Sequence, residues 1–162
     1  MKRSTAGVVL ALAATAAWPH DAPQAGAKAY DYAHAPQMKF GRAADPAKAA
    51  RVVSVEMNDT MRFTPAEITV RRGEVVRFEA VNKGAVMHEM VLGTSTELKE
   101  HAAMMAKHPG MEHDEPYMLH VAPGARGTMG WRFDKAGEFL YGCLVPGHFE
   151  AGMVGRVLVT EK

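Results

Sequence analysis

Residues 139–153 read FLYGCLVPGHFEAGM and contain the only cysteine of the chain. The run up to Gly142 has the apolar character of a short strand, and Pro146 and Gly147 then force a turn. Cys143 therefore closes a strand, His148 sits in the loop, and Met153 stands at the start of the last apolar run, MVGRVLVTEK. The spacing is C-x4-H-x4-M. A tight loop with this spacing gathers a thiolate, an imidazole nitrogen and a thioether at one pole of a β structure. Thiolate and thioether are soft donors and imidazole suits both oxidation states of copper, so the trio points to that metal. A methionine ligand argues against zinc. The competing reading is a buried free cysteine beside incidental histidines. A fourth donor is expected from a neighbouring strand end. His88 in VMHEMVLG, a few residues after the Asn82-Lys83-Gly84 turn, fits that place.

The rest of the chain supplies the strands such a loop needs. RVVSVEM alternates apolar and polar residues, and MRFTPAEITV holds two extended pieces around Pro65. RRGEVVRFEAVN is a turn and then a strand, with Val76, Phe78 and Ala80 on one face and Val75, Arg77, Glu79 and Val81 on the other. GTMGWRFD and GEFLYGC follow beyond the middle, separated by the turn signal DKAG. Seven or so short strands at this spacing predict an all-β fold, an antiparallel Greek-key sandwich or barrel. One stretch breaks the rhythm. STELKEHAAMMAKHPGM carries a cap at Ser95 or Thr96, good helix formers and a Pro109-Gly110 stop, and it predicts a short helical insert within residues 95–120.

The amino-terminal end has a different character. Lys2 and Arg3 precede the apolar run AGVVLALAATAAW, which ends among small residues, the pattern of a cleavable secretory signal over residues 1–17. That run is too short to span a bilayer. Residues 18–50 are rich in Ala, Pro, Gly and Gln without helix or strand period, so a flexible leader is expected there, with the folded domain over 51–162. The chain carries 19 Lys and Arg against 18 Asp and Glu; loss of Lys2 and Arg3 leaves 17 against 18, a net charge of −1. This balance gives no reason to expect nucleic acid or an anionic membrane as partner. Exported proteins usually use cysteines in pairs, so a lone thiol in such a chain calls for another explanation, and a metal bond is one.

At Cys143, His148, Met153 and His88 the chain resembles the cupredoxins, the small blue-copper proteins, over about residues 51–162. The loop spacing is similar to that of azurin, rusticyanin and auracyanin. The resemblance implies that His88, Cys143 and His148 form a trigonal plane around one copper ion with Met153 as a weak axial ligand. It also implies that the backbone N–H groups of Glu89 and Val145 hydrogen-bond the thiolate. Many members have an asparagine after the first histidine that stitches two loops together; Glu89 stands here instead. The family's usual electron doorway is the exposed edge of the loop histidine, here His148, with Pro146, Phe149 and Ala151 as a surrounding apolar patch for brief docking of a redox partner.

The insert adds a second theme. Half of the chain's eight histidines lie within residues 101–120 (His101, His108, His113 and His120), together with Met104, Met105, Met111 and Met118. His101, Met104, Met105, His108, Met111 and His113 are candidate secondary copper contacts, against a plain packing role for Met104 and Met105. The insert makes the chain similar to the cupredoxins found with bacterial periplasmic copper-tolerance systems. Two functions are therefore expected in parallel. One is a monomeric, periplasmic type 1 copper protein for one-electron transfer; the other is a copper-handling protein that also uses the insert and meets copper-trafficking partners. An enzyme is not expected. Four protein ligands leave no open position, multicopper oxidases and copper nitrite reductases need further copper centres and domains, and the dinuclear electron-entry site needs two cysteines.

Overall fold

The computed structural model describes residues 30–109, 111 and 114–161. The expected signal peptide, residues 18–29 of the expected leader, and His113 lie outside the described residues. Ten strands and one α-helix follow in chain order: β1 (Arg42–Ala43), β2 (Arg51–Asn58), β3 (Arg62–Thr64), β4 (Glu67–Arg71), β5 (Val75–Asn82), β6 (His88–Gly93), α1 (Ser95–Lys107), β7 (Met118–Val121), β8 (Arg126–Arg132), β9 (Gly137–Gly142) and β10 (Val154–Thr160).

Period-two patterning puts one face of each long strand inside. In β5, Val76, Phe78 and Ala80 are fully buried, as their alternation predicts. Two five-stranded sheets, in the orders β1-β8-β5-β2-β3 and β4-β10-β9-β6-β7, pack face to face as a sandwich. The expectation of a purely antiparallel arrangement needs correction. β2 pairs with β5 in parallel, and β10 pairs with β4 in parallel. In each case the intervening chain crosses to the other sheet and returns, which periodicity along one strand does not reveal.

Part of the stretch expected to be a flexible leader is folded onto the domain. Phe40 and Ala43 are buried in the main core, β1 pairs with β8, and the Trp131 indole N–H donates to the Phe40 carbonyl at 2.9 Å. Phe40 stacks on Trp131 at 5.1 Å between ring centroids. The segment lacks any period because it lies as a strap across the sheet edge instead of forming a long strand. Close approach explains Gly130: a Cβ there would stand 2.1 Å from the Ala44 carbonyl oxygen.

The helix forms where expected but is capped one residue earlier. Thr94, not Ser95 or Thr96, is the N-cap, and Glu97 closes a capping box with it. Leu98, Ala102 and Met105 recur at helical spacing and bury against Val91, Met118 and Leu144, a second small core on the outer face of the β6–β7–β9 sheet. Thr94→Ala is therefore expected to destabilise the domain by about 1 kcal/mol, and Ser95→Ala by less than about half of that. Thermal melts of the two variants check the assignment. Among the described residues no helix is long and apolar enough to cross a membrane.

Candidate metal centre

Three turns and the end of one strand meet at one end of the sandwich. After β2 comes Asn58-Asp59-Thr60, after β5 the turn 83–87, and after β9 the loop 143–153; β7 ends there at Val121, opposite His88. Asn82 ties this end together. Its amide nitrogen donates to the carbonyls of Val86 and Val121, both at 2.8 Å, and its side-chain oxygen accepts from Gly84 N–H at 2.8 Å. Those bonds fix the turn that delivers His88 to the site.

The loop after β9 is closed by its own backbone. Cys143 N–H donates to the Met153 carbonyl at 3.1 Å and Met153 N–H to the His148 carbonyl at 3.0 Å. Gly147 and Gly152 have φ of +87° and +90°, which glycine adopts without steric penalty. Arg62, on β3, donates to the Ala151 carbonyl at 2.9 Å and tethers the far side of the loop.

These constraints bring His88, Cys143 and His148 together, with one donor atom from each lying within 4.8 Å of the others. Cys143 Sγ is 3.2 Å from His148 Nδ1 and 4.0 Å from His88 Nδ1. His88, Cys143 and Met153 are fully buried, whereas His148 is half-buried and reaches the surface. The two imidazole rings tilt against each other at 5.0 Å. Burial pushes the Cys143 thiol up to about 11, while backbone N–H groups of Glu89 and Val145 act in the opposite direction. The Glu89 N–H donates to Sγ at 3.3 Å. Burial, and then the neighbouring His88, holds the His148 imidazole below its ordinary pKa.

One functional residue escaped the sequence reading. Asp59 Oδ1 lies 3.1 Å from His88 Nε2. A carboxylate only accepts, so Nε2 carries a proton and donates to it, with Nδ1 as the ring nitrogen on the Cys143 side. Asp59 is itself held: its Oδ2 accepts from Ala85 N–H at 2.7 Å, and that bond, then His88, keeps its carboxyl below the usual range. It lies 29 residues before His88, in a polar turn without any motif, so no spacing rule finds it. Gly84 makes room for the pair, since a Cβ there would meet Asp59 Oδ1 at 1.9 Å.

Glu89 does not stitch the loops as an asparagine would. Its side chain is buried and turns to the paired strand β7, where Oε1 lies 3.1 Å from His120 Nδ1. The patch around His148 also differs from expectation. Phe149 is half-buried against the small core under α1, while Val86 and Met87, at 44% and 48% exposure, add apolar surface on the turn before His88.

Among the described residues, those of the insert do not join this cluster. Met105 is core, at 6% exposure, so its packing role holds. His101 is half-buried on α1 and Met104 is exposed; His108 and Met111 form an exposed turn after the helix, with Met111 N–H donating to the His108 carbonyl at 3.0 Å.

A family model for copper binding proteins of the plastocyanin/azurin family matches residues 49–160. The chain belongs to that family. Relatives agree with it. The copper-resistant cuproprotein CopI of Rubrivivax gelatinosus is 56% identical over 140 residues, covering 86% of this chain and 82% of its own. The protein of the same name from Pseudomonas aeruginosa is 34% identical over 149 residues, covering 74% and 82%. Among solved structures, auracyanin B superposes with a TM-score of 0.60 at 25% identity, covering 78% of this chain and 98% of that one. An azurin from Methylomonas sp. strain J, at 21% identity and a TM-score of 0.55, shares the fold.

The donor set of this cupredoxin suits copper: one buried thiol aided by two backbone N–H groups, two imidazoles, and a buried thioether residue closing the loop. If Asp59 acts on the metal through His88, Asp59→Asn keeps an acceptor but removes the charge. The reduction potential of the copper-loaded variant is then expected to rise by tens of millivolts, because a carboxylate behind the imidazole favours the more highly charged metal. Protein-film voltammetry measures this, and an unchanged potential would detach Asp59 from the site.

Proposed function

We propose that this chain is a periplasmic type 1 copper protein that carries single electrons, holding copper through His88, Cys143, His148 and Met153. The observation that carries the reading is the convergence of one donor atom each from His88, Cys143 and His148 within 4.8 Å at one pole of the sandwich. Bound copper would supply a Cu(I)/Cu(II) couple there. The residues do the remaining work. Asp59 orients His88, the N–H groups of Glu89 and Val145 accommodate a thiolate charge, and the closed 143–153 loop resists rearrangement between oxidation states. His148 links the buried centre to the surface, and exposed Val86, Met87 and Pro146 give a small apolar rim suited to brief contact with a redox partner. Four protein ligands would leave a bound copper ion no open position for substrate, which supports a carrier over an enzyme. Export to the periplasm is supported by the Lys2-Arg3 start and its apolar run.

A second reading has its own support. The two most similar relatives named above are copper-resistance cuproproteins, and the insert carries soft donors outside the centre. In that reading the protein also binds surplus copper and exchanges it with trafficking proteins. Copper(II) titration of the purified chain tests the first reading: one equivalent should produce an intense thiolate-to-copper absorption. Weak absorption alone would refute a type 1 centre.

A further inference from the structure

A cleft of about 380 Å³ runs between α1 and the strap that precedes β1. Its floor is apolar, made by Phe40, Val91, Leu92 and Leu98. Three soft or borderline donors line its rim: Met38 from the strap, and His101 and Met104 from α1. His101 and Met104 stand three residues apart on one helical face, so both side chains reach the same side. A methionine exposed singly on a helix is unremarkable. Two thioethers and an imidazole around one depression, drawn from segments 63 residues apart, form a donor set.

The opposing wall is anchored. Met38 and Gly41 exchange backbone hydrogen bonds at 2.7 and 3.3 Å. Lys39 forms an ion pair with Glu97 of α1 at 3.3 Å, and Phe40 beneath it is clamped by Trp131 and, edge-on, by Tyr117 at 5.5 Å. The strap is thus held across the helix, with Met38 facing the same cleft as His101 and Met104. None of the cleft residues belongs to the His88–Cys143–His148 cluster.

We propose that this cleft is a second metal site, binding one Cu(I) ion through the thioethers of Met38 and Met104 and the imidazole of His101. Neutral thioethers select a soft monovalent ion over zinc or other divalent ions. The flexible methionine side chains close on the ion without moving the backbone. Glu100 at the rim supplies negative charge close to a cation whose ligands carry none, while the charge of Glu97 is already paired with Lys39. Met38 lies in the region whose composition predicts a leader, so only the folded strap brings it to the insert. This inference deepens the copper-handling reading and rests on it for the identity of the ion.

The test is an anaerobic Cu(I) titration of the full chain against a chromogenic chelator, beside the double variant Met38→Leu/Met104→Leu. Leucine keeps volume and apolarity, so the fold should survive, and the intense absorption on Cu(II) loading reports that it has. The wild type should take two equivalents and the variant one. Titration with Ag(I), a redox-silent soft ion, should shift the methyl resonances of Met38 and Met104 and leave those of Met105 and Met57 in place. A wild type that takes one equivalent, or a variant that keeps the second until His108→Gln/Met111→Leu removes it, would overturn the site. Absence of the intense absorption in the wild type would instead strike the electron-carrier reading, while the cleft still stands or falls on the one-equivalent difference in Cu(I) between wild type and variant.

Discussion

Serine in place of Cys143 is expected to abolish the intense visible absorption of the copper-loaded protein and to weaken copper retention more than about 100-fold. Removing a group behind a ligand typically costs about 10–100-fold in affinity, and here the softest ligand itself is lost. The substitution is close to isosteric at a fully buried position, so the sandwich should still form. Circular dichroism and a copper-retention assay against a chelator separate the two effects. A variant that keeps the absorption would show that the thiol is a passive core residue. One that fails to fold would be replaced by Cys143→Ala, where no unpaired hydroxyl is buried.

Trp131→Ala is expected to give the largest loss of stability, about 3–5 kcal/mol. Trp131 is fully buried, stacks on Phe40, meets Tyr117 edge-on at 6.2 Å between centroids, and donates its indole N–H to the Phe40 carbonyl. Its truncation leaves a cavity and removes the anchor of the strap. A fall in melting temperature on the order of 10–20 °C should follow, with new protease cleavage near Phe40. A shift of only a degree or two, with no cleavage, would mean that the strap adds nothing to the fold. Because the strap also carries Met38, this variant should lose any copper bound in the α1 cleft before it loses the Cys143 centre.

The legible parts of the molecule were those governed by local pattern. Alternation in β5, the Pro146-Gly147 turn after Cys143, and the donor types at His88, Cys143 and His148 each follow from neighbours in sequence, and the structure brings those three donors together. What stayed hidden depends on contacts between distant segments. Asp59 approaches His88 only because β2 and β5 run in parallel and end at the same pole. The strap from Met38 to Lys48 looks featureless because its order comes from Trp131 and Gly130, some 90 residues later. Glu89 misleads for a similar reason: its partner is His120, across a strand pairing that only the fold defines. The insert divides along its helical period, with Met105 turned to the core and Met104 left on the surface.

The central claim concerns which atoms hold the metal, and X-ray absorption at the copper edge of the protein loaded with one equivalent reads that most directly. One short copper–sulfur shell together with two copper–nitrogen scatterers is the expected spectrum, with the short sulfur shell absent from the Cys143→Ser variant. A first shell of nitrogen and oxygen alone in the wild-type protein would contradict the account.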